Sequence, residues 1–89
     1  MTTTMKSASD VFDRFANRDD FLGFGYIGSR QSFTAEEVAP VDAAILDIAE
    51  GLGWDEERLF EWANSKDGRW FADTALGCGE LDNAIGWYL

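Results

Sequence analysis

Along the middle of the chain, apolar residues recur at helical spacing. Val41, Ala44, Ile45, Ile48, Ala49 and Leu52 form one stripe, while Asp42, Asp47 and Glu50 fall off it, which predicts an amphipathic helix. Pro40 stands where the first turn of that helix would open, a place that needs no N–H. Gly51 or Gly53 can take the left-handed conformation that ends it. A second helix is expected directly afterwards. Asp55 suits its N-cap, and Glu56 and Glu57 suit the first turn, where the helix dipole favours negative charge. Trp54 and Leu59 stand at the spacing of a hydrophobic staple. Leu59, Trp62 and Ala63 would then face inward together.

The flanking segments also read as mainly helical. Met1 to Lys6 has the look of a frayed end. A helix is expected from Ser7 or Ser9 to about Asn17, with Val11, Phe12 and Phe15 as its apolar face. Phe21 to Phe33 is aromatic and glycine-rich, and its alternation fits either a short β-hairpin turning near Gly28-Ser29 or an ordered loop. Thr34-Ala35-Glu36-Glu37 has capping-box spacing and should open a helical turn, which Pro40 would separate from the main helix. Asn64 to Gly68 closes the second helix of the central pair. A short helix from Arg69 to Leu76 would bury Trp70 and Phe71 in part. A last helix, Glu80 to Tyr88, would place Leu81, Ala84, Ile85 and Tyr88 on one face. Trp87-Tyr88-Leu89 would dock on the core or contact a twin chain or another partner. The fold class expected is a mainly α, single-domain helical bundle spanning residues 1–89.

Charge narrows the function classes. Seventeen Asp and Glu stand against seven Lys and Arg, a formal charge of −10, while 46 % of residues are hydrophobic and 15 % aromatic. That composition supports a core, unlike a disordered acidic tail. Its sign opposes direct binding to nucleic acid or anionic membranes and favours basic surfaces. The carboxylates are unevenly spread: from Gln31 through Glu57 there is no Lys or Arg, whereas Glu36, Glu37, Asp42, Asp47, Glu50, Asp55, Glu56 and Glu57 all fall there. This run reads either as a contact face or as a solvated one. Leu46 lies off the apolar stripe among these acids, where an interface would use it.

The central pair resembles the helix-turn-helix of small regulators. In that pattern a small residue is followed four positions on by a turn glycine and six positions later by an apolar residue; here these are Ala49, Gly53 and Leu59, with Ile48, Leu52, Trp54 and Trp62 at other apolar positions. The resemblance covers about a quarter of the chain and implies a helical corner. The face it would offer to a DNA groove carries Asp55, Glu56, Glu57, Phe60 and Glu61, with Arg58 as its one base. Phosphate neutralisation dominates DNA affinity, and such a face repels phosphate.

Catalytic and metal chemistry finds few candidates. The chain has no histidine and one cysteine, Cys78, so neither an internal disulfide nor an activated Cys–His pair can form. A reducing, cytoplasmic setting fits this usage. Met1 to Asp10 lacks the apolar region of a secretory signal, and no apolar run approaches membrane-spanning length. Gly23, Gly25 and Gly28 spell G-x-G-x-x-G, but the βαβ unit that gives the motif its meaning has no room here. Asn64 to Gly68 faintly resembles a calcium loop, yet aligning Gly68 with the loop glycine puts Ala63 at the first ligand and Thr74 where a bidentate Glu belongs. An enzyme, a cofactor and a metal are therefore not expected.

A protein-binding module remains. In general profile (small, acidic, aromatic-rich) the chain looks like the small inhibitors encoded by phages and mobile elements, including anti-CRISPR proteins and DNA mimics. That resemblance implies stoichiometric blocking of a basic, nucleic-acid-binding host protein or complex. The expected contact residues are Glu36, Glu37, Asp42, Leu46, Asp47, Glu50, Asp55, Glu56, Glu57, Phe60 and Glu61. Two rivals stay open: a helix-turn-helix transcription regulator, which would need Arg14, Arg18, Arg30, Lys66 and Arg69 to converge, and a small phage assembly protein that forms homodimers or larger oligomers.

Overall fold

Thr34 sets the longest element of the structure, a computed structural model that describes residues 8–88. Its hydroxyl accepts from Glu37 N, and the Glu37 carboxylate accepts in return from Thr34 N, completing the expected capping box. The order is α1 (Ala8–Ala16), α2 (Gly25–Arg30), α3 (Ala35–Leu52), α4 (Glu56–Ala63), α5 (Lys66–Ala72), a π-helical turn (Asp73–Gly77) and α6 (Leu81–Gly86). Among the described residues there is no strand, and no helix is long and apolar enough to cross a membrane. The fraying expected at Met1 to Lys6, the helix start at Ser7 and the position of Leu89 lie outside the described residues.

Two expectations for the segments around α3 are corrected. The 21–33 stretch forms neither a hairpin nor an uninterrupted loop, because Gly25 to Arg30 winds into α2 and buries Tyr26 and Ile27 completely. Nor does Pro40 separate two helices; α3 runs through it from Ala35 to Leu52. Proline lacks the N–H that would bond the Glu36 carbonyl and crowds that carbonyl with its ring. Both residues lie on the solvent side, where water can take the freed acceptor. The capping box and the buried stripe carry the helix past this defect.

That stripe is Val38, Val41, Asp42, Ile45, Ile48 and Ala49, with Leu52 exposed. The corner after α3 forms as its spacing predicts. Gly53 adopts φ 74°, the left-handed cap, Trp54 N bonds Ala49 O at 2.8 Å, and the Asp55 side chain caps α4 by accepting from Arg58 N at 2.8 Å.

Aromatic rings join the layers. Phe12 of α1 meets Tyr26 of α2 edge-on at 5.1 Å between ring centroids, and Phe15 meets Phe60 of α4 at the same distance. Trp62 meets Phe71 of α5 at 5.5 Å and Tyr88 at 5.9 Å. These edge-to-face pairs run from one side of the domain to the other and give the core its specific geometry. α2 can sit at the centre because Gly25 lies against the end of α4. A Cβ there would stand 2.3 Å from the Ala63 carbonyl oxygen, and its φ of 77° already favours glycine.

Candidate functional site

The acidic run does not fold into one uniform face. Three arrangements emerge from it: one is buried, one is paired with arginines at the surface, and one faces outward.

The first is buried. Asp42 is fully enclosed, so it is removed from the expected contact surface. Arg30, at the end of α2, donates to both carboxylate oxygens, Nε to Oδ1 at 3.0 Å and Nη2 to Oδ2 at 2.6 Å, and the Tyr26 hydroxyl also donates to Oδ1. Asp13 of α1 approaches Arg30 at 3.5 Å. Burial, reinforced by the Asp42 charge, pushes the Tyr26 hydroxyl well above its ordinary pKa. Burial also opposes the Arg30 charge, but the bonds and charge of Asp42 outweigh it and hold that pKa above normal. A signal for this existed in the sequence. Val38, Asp42, Ile45 and Ala49 follow i, i+4, i+7, i+11 spacing, which places Asp42 on the buried side and calls for a cationic partner.

The second arrangement ties α4 to α1. Arg14 pairs with Glu56 at 2.5 Å. Arg18 donates to both oxygens of Glu57, at 2.9 and 3.1 Å, and to Asp20 at 2.9 Å. The hydrogen bonds to Glu57, then those to Asp20, raise the pKa of Arg18. The same guanidinium lies 3.8 Å above the centre of the Phe60 ring. Phe60, only 4 % exposed between Phe15 and this cation, is therefore a core residue and is also removed from the expected contact surface.

The third arrangement is outward. Glu36, Pro40, Ala43, Asp47 and Glu50 are all exposed and follow i, i+4, i+7, i+11, i+14 along α3. The stripe spans about 21 Å at the helical rise, carries small residues in its middle and has carboxylates as its only charges. Glu37, Asp55 and Glu61 are exposed nearby in sequence. Leu46 is half-buried rather than free. It lines an open groove of about 330 Å³ with Val11, Ala49, Trp54 and Leu59, rimmed by Glu50, Asp55 and the Arg14–Glu56 pair. The site thus joins an acidic ridge to a shallow apolar slot.

The bases follow a different plan from a DNA-binding patch. Arg30 is buried, Arg14 and Arg18 face acids of α4, Arg69 lies 4.0 Å from Asp73, and Arg58 stands over Trp54 at 5.0 Å. Among the described residues no group of three or more Asp, Glu or Cys could hold a metal ion. Cys78 is exposed at the end of the π-helical turn.

Compared with protein-family models, curated proteins and solved structures, the chain matches none.

Proposed function

We propose that this domain is an acidic protein-binding module that occupies the nucleic-acid-binding surface of a basic protein or complex, in the manner of the small inhibitors of phages and mobile elements. The exposed α3 ridge from Glu36 through Asp47 to Glu50, with no Lys or Arg from Gln31 through Glu57, carries the reading. Its carboxylates supply long-range attraction and orientation. The slot beside Leu46 offers an apolar contact, because a charged rim alone gives little affinity. The helix-turn-helix corner does not favour a DNA regulator, since α4 presents acids and its neighbouring arginines are turned toward them.

The test compares the native chain with a Glu36→Lys/Asp47→Lys/Glu50→Lys variant. Each is used to capture proteins from bacterial lysate at low and moderate salt, and the captured protein is then assayed for nucleic-acid binding. The reading expects one basic nucleic-acid-binding protein, held at low salt and shed at higher salt. The native chain should block that protein's nucleic-acid binding at one-to-one stoichiometry, and the variant should neither capture nor block it. Equal capture by the variant, or a captured protein that still binds nucleic acid, refutes it. A second reading, self-assembly, is favoured by the exposed Leu22, Phe24 and Trp87. It expects a concentration-dependent, salt-insensitive oligomer in sedimentation.

A further inference from the structure

Away from the acidic ridge, the α5–α6 side of the domain leaves two tryptophans in solvent. Trp70 is 39 % exposed and Trp87 is 74 % exposed. They are not scattered. Their rings stand 5.7 Å apart at 86°, as two perpendicular walls. Tyr88 adds a third aromatic, and it is anchored: its hydroxyl accepts from Trp62 Nε1 at 3.0 Å, and its ring packs edge-on to Trp54 and Trp62. Asp67, three residues before Trp70 and so on the same side of α5, brings a carboxylate to the notch the four residues line. The notch is open to solvent and offers about 360 Å³.

We infer that this notch binds the guanidinium of an arginine carried by a protein partner. Aromatic faces attract cations, and tryptophan does so best. A guanidinium also stacks flat on an indole while its N–H fork engages a carboxylate, which a compact ammonium cannot do. Asp67 disfavours a purely apolar occupant, which would strip water from the carboxylate without pairing it. Of the domain's own bases, Arg69 lies against Asp73 and Arg58 against Trp54, while the exposed Lys66 precedes Asp67 on α5 and lies outside the residues that line the notch. A net charge of −10 concentrates cations around the whole molecule, and at the notch aromatic walls and a carboxylate converge on one. The inference rests on the basic-partner reading only for which molecule carries the arginine.

The experiment follows the indole N–H signals of ¹⁵N-labelled full-length protein during titration with acetyl-glycyl-arginyl-glycine amide. Matched peptides carry citrulline or lysine in place of arginine. Saturable shifts are expected at Trp70 and Trp87 with arginine, none with citrulline, and binding about threefold weaker with lysine. Asp67→Asn should weaken arginine binding by about threefold. Trp87→Ala should abolish the Trp70 response while leaving the remaining spectrum intact, because Trp87 is mostly in solvent. A non-saturating drift, an equal response to lysine, or an unchanged Trp70 shift in Trp87→Ala overturns the inference. At physiological salt, where the change in net charge is largely screened, the Glu36→Lys/Asp47→Lys/Glu50→Lys variant should still show the saturable arginine shifts at Trp70 and Trp87, so the notch and the ridge fail or succeed separately.

Discussion

The buried Tyr26–Arg30–Asp42 cluster allows a quantitative test of what holds α2 to α3. Asp42→Leu removes the carboxylate that takes two N–H groups, Nε and Nη2, from one edge of the Arg30 guanidinium, and it leaves the Tyr26 hydroxyl without its acceptor. Orphaning one member of a buried pair costs about 3–5 kcal/mol, and an unsatisfied buried hydroxyl adds about 1–3 kcal/mol. Arg30 recovers part of this, because it is 8 % exposed and Asp13 stands 3.5 Å away. The expected net cost is therefore about 4 kcal/mol, a large share of the roughly 5–15 kcal/mol that stabilises a typical domain. Asp42→Asn should cost less, because the amide oxygen still accepts from Tyr26. The decisive variant is Arg30→Met/Asp42→Leu/Tyr26→Phe. Replacing the whole cluster with apolar groups of similar volume should return stability to within about 2 kcal/mol of the native chain, or exceed it. Urea unfolding followed by tryptophan fluorescence gives each value. If Asp42→Leu costs less than about 1 kcal/mol, the cluster is not a buried, coupled unit. A triple variant as weak as the sum of its parts would say the same.

Three further outcomes follow from local geometry. Gly25→Ala should cost at least about 2 kcal/mol in the same assay, since the methyl group would meet the Ala63 carbonyl and the residue would be forced to keep a positive φ. Pro40→Ala should stabilise the domain by about 1–2 kcal/mol by restoring the bond to the Glu36 carbonyl, less the gain in unfolded-chain freedom; a lower melting temperature would show that Pro40 has a packing role. Tyr26 has a folded pKa raised above its unfolded value, so its contribution is fully present below about pH 10 and is lost as pH rises through the folded pKa. Alkaline absorbance titration should therefore show the Tyr26 phenol ionising only when the protein unfolds, and Tyr26→Phe should make the remaining alkaline transition less steep.

Local sequence determined the helical character of most segments and several caps, but not every end: the helix expected over Arg69 to Leu76 starts at Lys66 behind a Ser65 cap and gives way to a π-helical turn at Asp73. The Thr34–Glu37 capping box, the Asp55 cap, the Gly53 stop and the α3 stripe all follow from interactions within a few residues, where spacing in sequence is spacing in space. The mainly α class followed from those signals. The tertiary structure decided what became of α2, Asp42 and Phe60. Gly25 to Arg30 is helical because burial of Tyr26 and Ile27 and contact with the end of α4 outweigh a glycine-rich composition that favours turns. Asp42 is buried because Arg30, twelve residues earlier, reaches it from another helix, and Phe60 because Arg18 covers it from the turn after α1. The same long-range pairing set Glu56 and Glu57, still exposed, against Arg14 and Arg18, and left Glu36, Asp47 and Glu50 on an outward stripe of α3. Formal charge is a property of composition; which carboxylates remain open to a partner depends on which cations the folded chain places against the others.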